Sequence, residues 1–226
     1  MTLLETARIM VSLGLVLLTG RHALPGLVLW LRPERLRAWF LPADAEAKVL
    51  EGSPALQDCV ERLKRLHYFL IGVKVEKLPL WGRRFTEVAL AARDHSAFAS
   101  LVLQPFGAPA SLYLYTPLIG GGMVFTRDYA AGREFESANV SVRDGSSDDI
   151  EVVHRAHQER VAVMRARGLM PEIRPSQAGR IAATHRFYAS KYFRRLSQRI
   201  ELLSWMSFAG SVILLAWALL APILGR

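Results

Sequence analysis

The run LLSWMSFAGSVILLAWALLAPIL, from Leu202 to Leu224, carries no charged residue. It exceeds the roughly 18 residues that mark a transmembrane helix, and at about 1.5 Å per residue it crosses a hydrocarbon core of about 30 Å. A buried core helix is the competing reading, and the length of the run argues against it. Trp205 and Trp217 are amphipathic and suit the two interfaces. Ser207, Gly210 and Ser211, with Ala209 among them, form a small-residue patch on which another helix can pack.

The N-terminal end is apolar in two pieces. Residues 9–18 are uncharged, TGRHALPG (19–26) interrupts, and LVLWL (27–31) resumes. A kinked span, a re-entrant or interfacial hairpin and a signal peptide compete. No small-x-small cleavage motif follows the apolar run, which disfavours the signal peptide. Pro25 and Gly26 weaken a continuous helix, so a kinked span is expected. One helix over 9–31 would put Arg21 and His22 near mid-membrane, at a cost of several kcal/mol unless they are paired or hydrated. They are expected to face a protein partner or water.

Flanking charge sets the expected orientation. Arg32, Arg35 and Arg37 follow the first segment; Arg180, Arg186, Lys191, Arg194, Arg195 and Arg199 precede the second. Both clusters border the middle of the chain. The positive-inside rule then places residues 32–201 in the cytoplasm and both termini outside. The net charge is +9 and the basic set is almost wholly arginine. Such a balance suits phosphate-bearing partners. Beside a membrane, an anionic lipid surface is the expected partner rather than nucleic acid, and the six basic residues from Arg180 to Arg199 lie among Phe187, Tyr188, Tyr192 and Phe193. Cys59 is the single cysteine, which excludes an intramolecular disulfide and multi-thiolate zinc sites.

Between the membrane segments the expected organisation is a linker over 32–53, an α+β domain over 54–170 and a basic juxtamembrane helix over 171–201. Leu56, Cys59, Val60, Leu63, Leu66 and Leu70 have helical spacing, and Pro54 suits a first turn. β-like runs follow at 71–77, 85–92, 98–104, 111–117, 121–127 and 137–143. No helical crossover separates them, so a mostly antiparallel sheet of about six strands, flanked by helices, is expected. The turn DGSSDD then leads, with a serine cap, into the helix that carries His154 and His157. Tyr188, Tyr192, Leu196, Ile200 and Leu203 step by three or four. That spacing predicts one long helix running from 177 into the membrane.

The candidate chemistry lies in EVVHRAHQERVAVMRARG (151–168). Glu151, His154 and His157 fall at three-residue steps, and a Glu-x-x-His step can hold metal. A helical wheel separates them. Both histidines share the apolar face with Ile150, Val153, Val161 and Met164, while Glu151 turns towards Arg155, its preferred ion-pair partner four residues on. A second acidic helix is also needed, and only Asp58 and Glu61 on the 54–70 helix are at hand. Two packed, hydrogen-bonded histidines against the sheet are therefore expected, with a pH-responsive contact as a further option and no cofactor. LIGGGMVF (118–125) lacks the Lys-Ser/Thr ending and following helix of a phosphate loop and reads as a hairpin or bulge. No G-x-S-x-G elbow occurs, and Asp94 and His95 have no adjacent nucleophile. NVS (139–141) matches a glycosylation sequon inside an expected cytoplasmic strand.

In architecture alone, an α+β domain between terminal membrane segments resembles many bacterial membrane proteins. The expected function is a non-enzymatic accessory or scaffold subunit, held by its membrane segments to other subunits or to its own copies. A membrane-anchored domain that binds lipid or a small molecule is the alternative. A metalloenzyme using His154 and His157 is the third reading.

Overall fold

Along VKVEK (73–77) valine alternates with charge, and a strand sends successive side chains to opposite faces. One face of the resulting sheet is apolar and the other carries buried ions. The computed structural model describes residues 3–104, 109–128, 134–144, 147 and 149–224. In chain order the elements are α1 (Leu3–Leu31), β1 (Arg37–Phe40), α2 (Ala43–Glu51), α3 (Pro54–Arg65), β2 (Tyr68–Lys77), β3 (Arg84–Ala92), β4 (Phe98–Leu103), β5 (Pro109–Pro117), β6 (Met123–Arg127), β7 (Glu134–Glu136), β8 (Val140–Asp144), α4 (Ile150–Ala166), α5 (Gln177–Ala189) and α6 (Lys191–Leu224). The chain forms two units: a helical unit of 1–37, 77–83 and 191–226, and a sheet unit of 38–76 and 84–190.

The protein is α+β, as the strand and helix spacing implies, but among the described residues the sheet is mixed and has eight strands rather than six. Its order is β1-β2-β3-β4-β5-β6-β8-β7. The two additional strands, β1 and β7, are the edges, and at four and three residues they are too short to show an alternating pattern. Arg37, Glu134 and Glu136 place charge on these edges, which discourages pairing with other chains. β3, β4, β5 and β6 pair antiparallel, but β6 and β8 pair in parallel. The parallel pair needs no helical crossover. After β6 the chain runs out to the edge as β7 and returns antiparallel as β8, which inserts between them. The glycine-rich segment is a hairpin, with Leu118 N–H bonded to Gly122 O at 2.9 Å and Gly120 and Gly121 at φ +84° and +87°.

Val73, Val75, Val88, Leu90, Leu101 and Leu114 build the apolar face, under Leu56, Val60 and Leu63 of α3 and Ile150 and Val153 of α4. Ser53 caps α3 and Pro54 occupies its first turn. The helix ends at Arg65 rather than at residue 70, because His67 adopts φ +64° and Tyr68–Leu70 join β2. Asp149, not a serine, caps α4 by accepting from Glu151 N–H; Ser147 Oγ in turn accepts from Asp149 N–H. The residues read as a linker hold β1 and α2.

In the helical unit α1 is one unbroken helix that contains Pro25. Arg21 and His22 lie beyond the midpoint of its 29 residues. Both are exposed. The expected single C-terminal helix is two, because Ser190 adopts φ −68°, ψ 150° between α5 and α6. α1 and α6 are each long and apolar enough to cross a membrane, and only 11% of each apolar window is buried, which a soluble core helix would not tolerate.

Candidate functional site

The histidine helix holds its two imidazoles in different surroundings. His157 is fully buried between two sheet hydroxyls: Thr116 Oγ1 lies 2.8 Å from Nε2 and Thr126 Oγ1 lies 2.6 Å from Nδ1. The hydroxyl of Thr116 already donates to Ser96 O at 2.6 Å, so it accepts from Nε2–H. Thr126 Oγ1 accepts from Arg160 Nη2 and is left to donate to Nδ1. The imidazole is therefore a neutral Nε2–H tautomer with both nitrogens in use. Burial, with Arg160 and His154 adding to it, pushes its pKa well below the ordinary histidine value. His154 Nδ1 lies 3.2 Å from Tyr68 OH, and the two rings meet edge-on at 5.6 Å. His154 also borders a cavity of about 450 Å³ lined by Leu66, His67, Ala92, Arg93, Asp94 and Gln158. Burial lowers its pKa, and Asp94 partly opposes this.

Glu151 joins neither histidine. It pairs with Arg62 of α3, which also reaches Asp149 at 2.5 Å; the expected Arg155 is not its partner in that pair. Arg62 holds the Glu151 carboxyl at about 2. Among the described residues no three His, Cys, Asp or Glu side chains are placed to share a metal ion.

The opposite face of the sheet holds a cluster that the sequence motifs did not reveal. α5 lies over it, presenting Arg180, Thr184, Phe187 and Tyr188 at helical spacing. Lys74 is 0% exposed, and its Nζ lies 2.5 Å from Glu76 Oε1, 2.7 Å from Glu87 Oε1 and 2.5 Å from Thr184 Oγ1. Arg180 donates from Nη2 to Glu87 at 2.8 Å, Ser100 at 2.9 Å and Tyr113 at 2.6 Å. Its guanidinium also lies 5.4 Å from the Phe98 ring centroid. Tyr188 donates to Glu76 at 2.9 Å, and Tyr113 donates to Glu87. Two cations face two carboxylates, so the cluster is neutral. Burial alone would raise Glu87, but Lys74 and Arg180 more than offset this and hold it at about 2. Burial raises the Tyr113 phenol, so it stays protonated and keeps donating. The signal for this cluster was present: Lys74 and Glu76 share one strand face, and Glu87 sits in the adjacent strand.

Arg180 therefore stands inside the sheet unit and not on a membrane surface. Arg186 forms a two-pronged pair with Glu172 at 2.6 and 3.0 Å. Lys191, Arg194, Arg195 and Arg199 are exposed on the first turns of α6.

In the helical unit α1 and α6 run antiparallel, with Thr19 beside Ser211, Gly20 beside Phe208 and Gly26 beside Glu201. A Cβ on Gly20 would lie 3.0 Å from the Phe208 ring, so the small residue permits the approach. Of the small-residue patch, Ser211 is buried in this seam, bonded to Ser207 O at 2.8 Å, while Ser207 and Gly210 are exposed. Trp30 and Trp205 pack at 5.7 Å. Pro25 has no N–H, which frees the Arg21 carbonyl one turn earlier. The indole of Trp81, on the 77–83 loop, donates to that carbonyl at 3.0 Å. The loop sits close to the proline: a Cβ on Gly82 would lie 2.9 Å from Pro25 Cβ.

No protein-family model, curated protein or solved structure matches the chain.

Proposed function

We propose that the chain is a membrane-anchored, non-enzymatic accessory or scaffold subunit, in which α1 and α6 form the anchor and the sheet unit is an interaction domain. The observation that carries the reading is the surface of the helical unit. The two helices pack through Gly20, Ala23 and Ser211, and Leu17, Leu203, Ile213 and Trp217 remain largely exposed. Such a surface suits hydrocarbon, and water would drive it to aggregate. The exposed Ser207 and Gly210 offer a place for a further helix, and Arg21 and His22 offer polar contacts to it. In the sheet unit His157, Lys74, Glu87 and Arg180 are enclosed and bonded to one another or to neighbours, which favours a rigid structural module over a reaction centre. The basic residues on either side of the sheet unit favour an inner-membrane location with that unit in the cytoplasm.

The test is native purification in mild detergent with mass measurement. A mass larger than one chain, from co-purifying subunits or from self-assembly, is expected; a monomer without partners overturns the scaffold reading. Orientation is tested separately by introducing Glu51→Cys into a Cys59→Ser background. A membrane-impermeant thiol reagent should label it only in inside-out vesicles, and labelling of intact cells would reverse the topology.

A further inference from the structure

Three arginines and a lysine converge on one cleft of the helical unit. Arg32, Arg35, Arg37 and Lys77 line it together with Val28, Leu78, Pro79 and Leu80, and it encloses about 450 Å³. That is within the range of small-ligand pockets. The local fold explains the convergence. α1 ends at Leu31, Pro33–Arg35 make a single 3-10 turn, and the chain leaves as β1, so three arginines follow one another within a sharp bend. Lys77 closes β2, and the following loop turns back through Leu78 N–H bonded to Arg83 O at 3.0 Å. Leu80 sits in that loop at φ +59°, a conformation leucine seldom adopts, with its side chain half exposed.

The charge in the cleft is one-sided. The adjacent carboxylate, Glu34, lies 3.5 Å from Arg32, and both are exposed to solvent. Four cations around one cavity favour an anion, and guanidinium groups grip a phosphate through paired donors. The rest of the lining is apolar: Val28 comes from α1, and Leu78, Pro79 and Leu80 come from the loop. Trp81, next to Leu80, is 57% exposed and holds its indole N–H against α1. A lining that combines cations with apolar side chains, where a membrane-length helix ends, matches a molecule with a phosphate head and a hydrocarbon body. Exposed leucine and tryptophan beside it suit the membrane interface.

We propose that this cleft binds the phosphate headgroup of an anionic phospholipid. The guanidinium groups take the phosphate, and the glycerol and first methylenes lie along Val28, Leu78 and Leu80. The proposal rests on α1 being a membrane span and adds a ligand and its contacts. It is separate from the exposed cations of α6.

The experiment uses the full chain in mild detergent, with native mass spectrometry of lipid retention. Dioleoylphosphatidylglycerol and dioleoylphosphatidylcholine are supplied at equal concentration, with inorganic phosphate in a parallel arm. The expected result is about tenfold preference for phosphatidylglycerol, lost in R35Q/R37Q/K77Q and kept in R194Q/R195Q/R199Q, which removes the same charge elsewhere. Equal retention by the wild type and the first variant overturns the proposal. So does equal loss in both variants, which would make the preference a matter of net charge. Phosphate binding without phosphatidylglycerol retention overturns the lipid as the source. Should the first variant not fold, Leu80→Glu places a carboxylate in the cleft wall and should abolish the preference; unchanged retention then overturns the site. Release of the wild type from membranes by alkaline carbonate would instead sink the anchor reading, independently of the lipid result.

Discussion

In the sheet unit Lys74 and Arg180 are 0% and 2% exposed and meet carboxylates, whereas in the helical unit Leu203 is 76% exposed and the cations stand at helix ends and loops. One unit encloses its charge and the other displays its hydrocarbon. The contrast follows from what surrounds each. Inside the sheet unit a buried ion needs neutralisation and hydrogen bonds, so two cations are matched to two carboxylates and to the Ser100, Tyr113 and Thr184 hydroxyls. In the helical unit, backbone groups are satisfied within each helix, and with α1 and α6 as the proposed anchor the outward apolar side chains meet lipid at no cost. The exception within each unit is informative: His157 is a fully buried polar ring on the apolar side of the sheet, and Arg21 is a cation along an apolar helix.

The sharpest way to break this contrast is to leave the sheet unit with unmatched charge. Arg180→Met removes one of the two cations facing Glu87 and the donor to Ser100 and Tyr113. Removing one partner of a buried pair costs about 3–5 kcal/mol, to be measured by urea denaturation of the full chain in detergent. The quadruple variant K74M/E76Q/E87L/R180M, which removes the ions together, should recover most of that loss. A loss below about 1 kcal/mol for Arg180→Met would show that charge matching does not hold this face together. The same cluster predicts a pH effect. Native Glu87 titrates at about 2 and unfolded glutamate near 4.5, so its contribution is present above pH 4.5 and disappears as pH falls towards 2.

His157 gives a second and earlier acid effect on the apolar side. Unfolded histidine binds a proton near pH 6.5, while native His157 stays neutral to well below that value. Between the two the unfolded state holds more protons, so stability falls as pH drops below about 6.5. His157→Gln should lower stability at pH 8 and flatten the slope between pH 6.5 and 5. A slope unchanged in the variant would move the effect to His154, whose pKa burial also lowers.

The sequence was most legible where a pattern is periodic and long. β-like runs located the central strands, and the uncharged run located α6. The edge strands β1 and β7 escaped because three or four residues cannot display a period, and the parallel β6–β8 pair escaped because β7 does the work usually left to a helix. Ser190 ends α5 on a ψ of 150° although helical spacing continues across it, so only backbone geometry could divide the two helices. At the candidate sites, the wheel correctly placed His157 on the buried face, but its partners Thr116 and Thr126 lie in β5 and β6, at a sequence separation that spacing does not report. Arg180 read as one of a basic series because its neighbours in sequence are exposed or solvent-facing arginines. Its partners Glu87, Ser100 and Tyr113 come from three other elements.

A medium effect tests the helical unit. Pro25 leaves the Arg21 carbonyl without its helical donor, and Trp81 replaces that donor at 3.0 Å. Trp81→Phe should destabilise the chain by about 1 kcal/mol. In a Pro25→Ala background the helix supplies its own N–H to Arg21, and the same substitution should cost only a small part of that. The double-mutant cycle isolates the coupling from the lost indole packing. Equal costs in both backgrounds would show that Trp81 contributes only its ring area.

The smallest expected effect bears on Glu151, the residue that made α4 resemble a metal helix. Glu151 pairs with Arg62, which also holds the capping Asp149, yet all three side chains are 30–49% exposed. Water screens such a pair, so Arg62→Ala should cost less than about 1 kcal/mol despite the short contacts. The more telling readout is the Glu151 carboxyl itself, because Arg62 is the largest cause of its depression to about 2. In Arg62→Ala its titration, followed by carboxyl NMR shifts, should move up towards the ordinary carboxylate range while His157 remains neutral. If Glu151 and His157 titrated together in that variant, the two would be coupled across α4 after all, and the separation of the charged face from the histidine face would fail.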